Sequence, residues 1–393
     1  MTINKILQSK IGAFIIIVPF IKPASEITGD FDIVFDIFKL IAAVLIFFVF
    51  WCSKKTISEV VLIFMVIQLV YFASTVLHFG DIKSAVVQMV SNISICMYME
   101  YLFWVDRRIA FRNFCLPTLS MALLTSITMF IFHPEGMYLV GDERYMESSN
   151  FFWGFDNASV FLFIPTMFFL IMYSIFVTKK HVKTAILLLF MTGSFLYVKS
   201  ITAFAFCLFI TLGYIVLVIL RIRIKYFNMR TAVTVILALM ISLLYLKDNF
   251  NILMKIAENT GKFYSIKARF IFWERELEYI IKSPLIGYGI EDKLVLLNKI
   301  FIDHPHNYFF DILYRGGFIA AASLGIYFYL IVKPHPKVTL INTVIVICFI
   351  SLMICSIFDF YNDIYLFYPH LLATYFCYIT SDDIVLKPKI HEK

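Results

Sequence analysis

The sequence predicts an all-α membrane protein: a polytopic transmembrane helical bundle of about twelve spans, with a long helical loop outside the membrane. Three observations carry this expectation. Of 393 residues, 61% are hydrophobic and only 16% charged, and the mean hydropathy is +0.86; a soluble domain rarely passes half apolar. The apolar residues fall in runs near the length of about 20 residues that a helix needs to cross a bilayer. Lys and Arg gather in alternate loops, as cytoplasmic segments do. The 44 Phe and 22 Tyr suit lipid-facing and interfacial positions.

In chain order, spans are predicted near 11–22, 33–52, 58–77, 85–105, 113–132, 158–178, 184–199, 201–220, 231–247, 313–332, 338–358 and 364–380. The first has a basic lead-in and no small-residue cleavage site, so it reads as a retained signal anchor. Alternate loops carry Lys54/Lys55, Arg107/Arg108/Arg112, Lys179/Lys180/Lys183, Arg221/Arg223/Lys225/Arg230 and Lys333/Lys337. That asymmetry places both termini in the cytoplasm and the segments 133–157 and 248–312 outside. Residues 1–393 therefore read as a single integral membrane domain with two extracytoplasmic loops. The net charge of +7 is explained by the loop bias, and no nucleic-acid partner is expected.

The seven cysteines lie in or beside apolar runs without a CxxC, so they read as small core residues. No Walker, GxGxxG or HExxH pattern occurs, which leaves ATP-driven transport and zinc proteolysis unsupported. No Asp/Glu cluster has metal-ligand spacing, and no metal or cofactor is expected. Inside or at the ends of spans, Lys39, Asn157 and His370 are polar; ionisable groups in lipid are functional candidates, and those near an end can snorkel.

Polar chemistry concentrates in the outer loops. In 133–157, Arg144 is a candidate phosphate contact, and Trp153 and Phe155 read as interfacial anchors before a helix capped by Asp156 or Asn157. Lys199, at a turn beside Ser200 and Thr202, is either a phosphate contact or an interfacial snorkel. In the long loop, Phe270, Trp273, Leu277 and Ile280/Ile281 recur at helical spacing among charges, which predicts an amphipathic helix lying on the membrane surface. Ser283-Pro284 stops it, and Gly287-Tyr288-Gly289 makes a tight return.

A second short amphipathic piece, about 291–302, leads to Asp303-His304-Pro305-His306-Asn307. Asn307 is a natural N-cap, so His306 stands at a helix start where the dipole disfavours the imidazolium and leaves a ring able to take a proton. The same helix end suits a phosphate. Asp311 and Arg315 are spaced to pair on one face, and Gly316-Gly317 permits close backbone approach. The bland alternative is a capped loop end with no chemistry.

Arg269-x3-Trp273, then Ser283-Pro284-Leu285-x-Gly287-x-Gly289, then His306-Asn307 and Gly317, resembles the O-antigen ligase and polymerase superfamily. The resemblance covers about fifty residues. It has weaker echoes in Lys199-Ser200-x-Thr202-Ala203, where the family usually has Ser-Arg-Thr, and in Phe155-Asp156-Asn157-Ala158. Ala320 stands where the ligase branch typically has Gly, Thr or Tyr, and Lys199 replaces an arginine; both departures weaken a ligase assignment more than a polymerase one.

The resemblance implies a bacterial inner-membrane glycosyltransferase that polymerises lipid-linked oligosaccharide repeats of O-antigen, capsule or exopolysaccharide. The glycan would pass from undecaprenyl diphosphate to a sugar hydroxyl of another lipid-linked unit. Arg269 is then assigned to the diphosphate, with Lys199 and Arg144 as helpers. His306 is the candidate base, His304 and Asp303 are alternatives, Glu291 remains open, and Asn307, Gly287, Gly289 and Gly317 are supporting residues. The implied partners are undecaprenyl-diphosphate-linked oligosaccharides and the lipid bilayer, with a chain-length regulator and a flippase as candidates. The rival readings are a ligase acting on lipid A-core and, in another class, a transporter of lipid-linked saccharide.

Overall fold

The computed structural model describes residues 3–23, 32–53, 56–140, 148–222, 227–245, 263–302, 306–334, 339–358 and 365–379. In chain order the helices are α1 Ile3–Gln8, α2 Lys10–Ile17, α3 Asp32–Ser53, α4 Glu59–Leu77, α5 Ile82–Val105 and α6 Arg107–Phe132. There follow α7 Asp156–Tyr173, α8 His181–Tyr197, α9 Ile201–Tyr214, α10 Met229–Tyr245 and α11 Phe263–Lys282. The chain closes with α12 Lys293–Ile300, α13 Tyr308–Val332, α14 Leu340–Phe358 and α15 Phe367–Ile379. π-helical turns at Ser174–Thr178 and Ile215–Ile219 lengthen α7 and α9.

Each predicted span coincides with one helix. Eight described helices are long and apolar enough to cross a membrane, and Lys10–Phe20, His181–Tyr197 and Met229–Ser242 are shorter apolar helices. Local chemistry sets several helix starts. Ser58 accepts from Val61 N at 3.4 Å, Asp81 from Ser84 N at 3.0 Å and Asp106 from Arg108 N at 2.7 Å, each side chain covering an amide that the first helical turn leaves open. Within the spans, hydroxyls such as Thr118 and Thr166 bond back to carbonyls four residues earlier, both at 2.7 Å, so they need no water.

The core is aromatic: Phe111, Phe114, Phe161, Phe163, Phe168 and Phe169 are fully buried. α13 packs along α4, α4 along α5, and α6 along α7, while α14 lies against α7 and α9. Among the described residues the cysteines form no disulfide; Cys52 is exposed and the others are buried, as small core residues would be.

Two features depart from the sequence expectation. The loop after α6 holds a small antiparallel sheet, β1 Tyr138–Val140, β2 Ser148–Phe151 and β3 Gly154–Phe155, pairing Tyr138 with Asn150 and Phe151 with Gly154. The sheet is anchored to the bundle by Phe152 N, which donates to Thr128 Oγ1 at 3.1 Å. At α7, neither expected residue caps the helix with its side chain: Phe155 is at the N-cap position, and Asp156 accepts from the adjacent Asn157 N at 2.7 Å.

Candidate active site

The site is organised by a break in a helix. Gly317, inside α13, has φ 57° and ψ −157°, a conformation essentially confined to glycine. The break frees carbonyls before it and amides after it, and buried backbone groups must find partners. A strap, residues 284–290, supplies them. Tyr288 N donates to Tyr314 O at 2.7 Å and Gly289 N to Arg315 O at 2.9 Å. Phe318 N donates to Pro284 O at 2.7 Å and Ile319 N to Leu285 O at 3.2 Å.

The strap is pinned in turn to the end of α4. Ser74 Oγ donates to Gly287 O at 2.9 Å, and Ile290 N donates to Thr75 Oγ1 at 2.8 Å. This is why the motif needs its glycines: a Cβ would lie 2.3 Å from Leu285 C at Gly317, 2.3 Å from Tyr314 O at Gly287 and 2.2 Å from Thr75 N at Gly289. Gly317→Ala is therefore expected to cost at least about 3 kcal/mol, from backbone strain and from strap bonds lost in a buried setting. A marked fall in the thermal midpoint of the purified chain checks it; an unchanged midpoint would show that the break is not required.

Asn307 caps α13 as expected, its Oδ1 accepting from Phe309 N at 2.9 Å and Phe310 N at 3.3 Å. His306 is thereby held, half-buried, at the helix start. Its ring stacks on Phe272 of α11, with centroids 6.3 Å apart and an interplanar angle of 29°. Next along, Trp273 meets Phe310 edge-on at 5.8 Å, and Tyr279 meets Tyr314 edge-on at 6.4 Å. These pairs advance in the same direction on both helices, so α11 runs parallel to the first turns of α13.

Trp273 and Ile280 of the apolar stripe of α11 are thus buried against protein, Phe270 and Leu277 are half-buried, and Ile281 is exposed. Periodicity alone does not separate that from a stripe facing lipid. Arg269 precedes Phe272 by three residues, which places its backbone roughly 4.5 Å along the helix axis from the level of His306. It shares a helix face with Trp273 and Glu276 at i+4 and i+7. Arg269 is half-buried, whereas Trp273 and Glu276 are buried.

Below that level lies a buried polar cluster. Arg315 Nε is 2.6 Å from Asp311 Oδ1, the i,i+4 pair expected, and Arg315 Nη1 donates to Gln88 Oε1 on α5 at 3.3 Å. Glu276 faces this pair and is 1% exposed. Burial pushes its carboxyl well above the usual carboxylate range; the Asp311 charge adds to the rise and Arg315 opposes it. Glu276 does not stand out in the sequence, because a charge on an amphipathic helix is usually solvated. The available signal was its i+3 spacing from Trp273, on the apolar stripe. Glu291 has both oxygens engaged, one ion-paired with Lys299 and the other accepting from Tyr314 OH at 2.5 Å.

Other expected site residues lie elsewhere. Lys199 is exposed, in a left-handed turn (φ 61°) between α8 and α9. Its neighbour Ser200 donates to Asn157 Oδ1, which joins the two weaker sequence echoes at the start of α7. That turn belongs to helices packed on α7 and α14, and the described contacts do not bring Lys199 to His306. Arg144, Asp303 and His304 lie outside the described residues. Lys39 is paired with Asp36 at 3.3 Å and sits 5.0 Å from the Tyr365 ring centroid, a structural setting. His370 is fully buried and stacked on Phe168 at 4.3 Å. A cavity of about 300 Å³ among Phe206, Phe209, Phe227, Val235, Ile350 and Ile354 lies apart from the candidate site and is lined almost wholly by apolar side chains.

The chain was compared with known proteins. Residues 184–325 match the family model described as O-antigen ligase. The match supports membership of the O-antigen polymerase/ligase superfamily. It spans roughly a third of the chain and includes Lys199, Arg269, the glycine strap, His306, Asn307 and Gly317. Comparison with curated proteins and with solved structures gives no match. Together with the apolar helices, the family points to a multi-pass membrane protein with a glycosyl-transferring function of the O-antigen polymerase/ligase type.

Proposed function

We propose that the chain is a polymerase of lipid-linked oligosaccharide repeats, with the segments 133–157 and 248–312 facing the periplasm or outer surface and both termini cytoplasmic. One observation supports this most: the parallel register of α11 on α13, which sets Phe272 against His306 at a capped helix start and leaves Arg269 within about one helical turn of that level. A base and a cation at one end of a membrane bundle suit transfer of a glycan from a diphosphate carrier.

In the proposed reaction, a sugar hydroxyl of the acceptor attacks the anomeric carbon of the donor glycan. The bond from that carbon to the phosphate oxygen breaks, and undecaprenyl diphosphate leaves. The hydroxyl proton passes to an imidazole nitrogen of His306, whose position at the helix start favours the neutral ring. Arg269 faces the charge that grows on the departing diphosphate, where a fixed cation stabilises the transition state more than the ground state. Lys199, which is exposed, and Arg144 are secondary candidates for the diphosphate, and His304 and Asp303 are alternatives for proton transfer.

The ligase reading is favoured by one observation, the description of the matching family. Its chemistry is the same with lipid A-core as acceptor. Deleting the gene in its host separates the two. A polymerase deletion leaves single repeats attached to the final acceptor, whereas a ligase deletion abolishes attachment altogether. Loss of attachment would overturn the polymerase reading.

A further inference from the structure

We propose that Glu276 is a positioning residue of this site: in its protonated form it seats α11 on α13 and so holds Arg269 within about one helical turn of His306, a role that rests on the reading above for what those two residues do. The seating itself stands on geometry. Trp273, Glu276 and Ile280 form the stripe by which α11 docks, and each is less than a tenth exposed. An apolar residue would serve plain docking better at the middle position. The carboxyl instead faces Arg315 and Asp311 on α13, a guanidinium already paired at 2.6 Å.

Among the described residues, the charges that act on this carboxyl are those of Asp311 and Arg315; Lys299 of α12, which also packs on α11, is ion-paired with Glu291. α5 contributes the amide of Gln88, which takes another Arg315 N–H. α4 contributes Tyr71, α15 contributes Tyr368, and α13 itself adds Tyr314; all are phenols in the field of these charges. Two carboxyls therefore share one guanidinium in a buried space. An ionised Glu276 would be a second buried negative charge without its own partner, and this is disfavoured. Its Oε1 has no hydrogen-bond partner among the described residues, which leaves this oxygen uncommitted when α11 is docked.

The consequence is a pH dependence of known sign. A raised carboxyl value means that the seating is fully present below the ordinary carboxylate value of 4.5 and is lost as pH rises through the raised value. Neutral His306, required as base, sets the acid limb of the rate; protonated Glu276 sets the alkaline limb. Glu276→Gln keeps the shape and cannot ionise, so it removes the alkaline limb. Glu276→Ala removes the side chain and rescues nothing. A residue needed only to fill space would give Gln and wild type the same pH profile.

The test uses the full-length chain in lipid nanodiscs, with hydrogen exchange of residues 263–282 followed across pH and corrected for intrinsic rates. In parallel, polymer formation is followed in membranes of a deletion strain expressing each variant, with the lipid-linked repeats accumulated there as the probe. In the wild type, protection and polymer rate should fall together on the alkaline side, by about tenfold per pH unit past the titration. Glu276→Gln should retain both.

An alkaline limb unchanged in Glu276→Gln overturns the proposal. If Glu276→Gln does not fold, the wild-type profile decides: protection that stays flat to about pH 10, the ordinary tyrosine value, also overturns it. A pH-dependent protection that Glu276→Gln abolishes, with no polymer from either protein, supports the seating and counts against the polymerase reading instead.

Discussion

His306→Ala is expected to lower polymer formation by about 10²- to 10⁴-fold, the usual worth of a positioned general base. The fold should survive the change. The α13 cap is made by Asn307 Oδ1, and His306 contributes a half-buried ring whose stacking partner Phe272 sits 6.3 Å away. Losing one such contact shifts stability by about 0.5–1.5 kcal/mol, far below what would mimic a loss of chemistry. The check is an initial rate measured beside a thermal midpoint. A large fall in rate at a nearly constant midpoint is the expected pair of results. Equal falls in both would mean that His306 is only a structural part of the helix start.

Arg269→Ala should lower the rate by about 10²- to 10³-fold, comparable with removing one preorganised donor from a developing charge. The loss should appear mainly in kcat, because the diphosphate gains charge as the glycosidic bond breaks. Arg269→Lys should restore part of the rate, since an ammonium keeps the charge and loses the planar fork that matches phosphate oxygens. Varying the concentration of lipid-linked substrate separates the two parameters. A rise in KM alone, with kcat intact, would make Arg269 a binding residue with no share in the chemical step.

Much of this architecture was legible in the sequence because it depends on local rules. Span placement needed only apolar run length and the Lys/Arg alternation, and each predicted span coincides with a helix. The α13 start was legible because Asn307 caps amides two and three residues away. The Asp311–Arg315 pair followed from helical spacing.

What was not legible depends on distant partners. The glycines of the strap stood out, but the hydroxyls that pin it, Ser74 and Thr75, lie more than 200 residues earlier. Glu276 was hidden because charge on an amphipathic helix ordinarily marks the wet side, and here it marks a buried group in the field of Arg315 and Asp311. The sheet at 138–155 was missed because its strands are two to four residues long, too short for alternation to register. An apolar stripe also reads the same whether it meets lipid or protein, so the packing of α11 along α13 was not legible.

The most direct test reconstitutes the purified chain alone in liposomes with its lipid-linked repeat units and follows saccharide length and released undecaprenyl diphosphate together. The expected result is a ladder of lipid-linked chains, one diphosphate carrier released per new linkage, lost in both His306→Ala and Arg269→Ala. Lengthening that persists in both variants, or that is absent while glycan transfers once lipid A-core is supplied, would contradict the account.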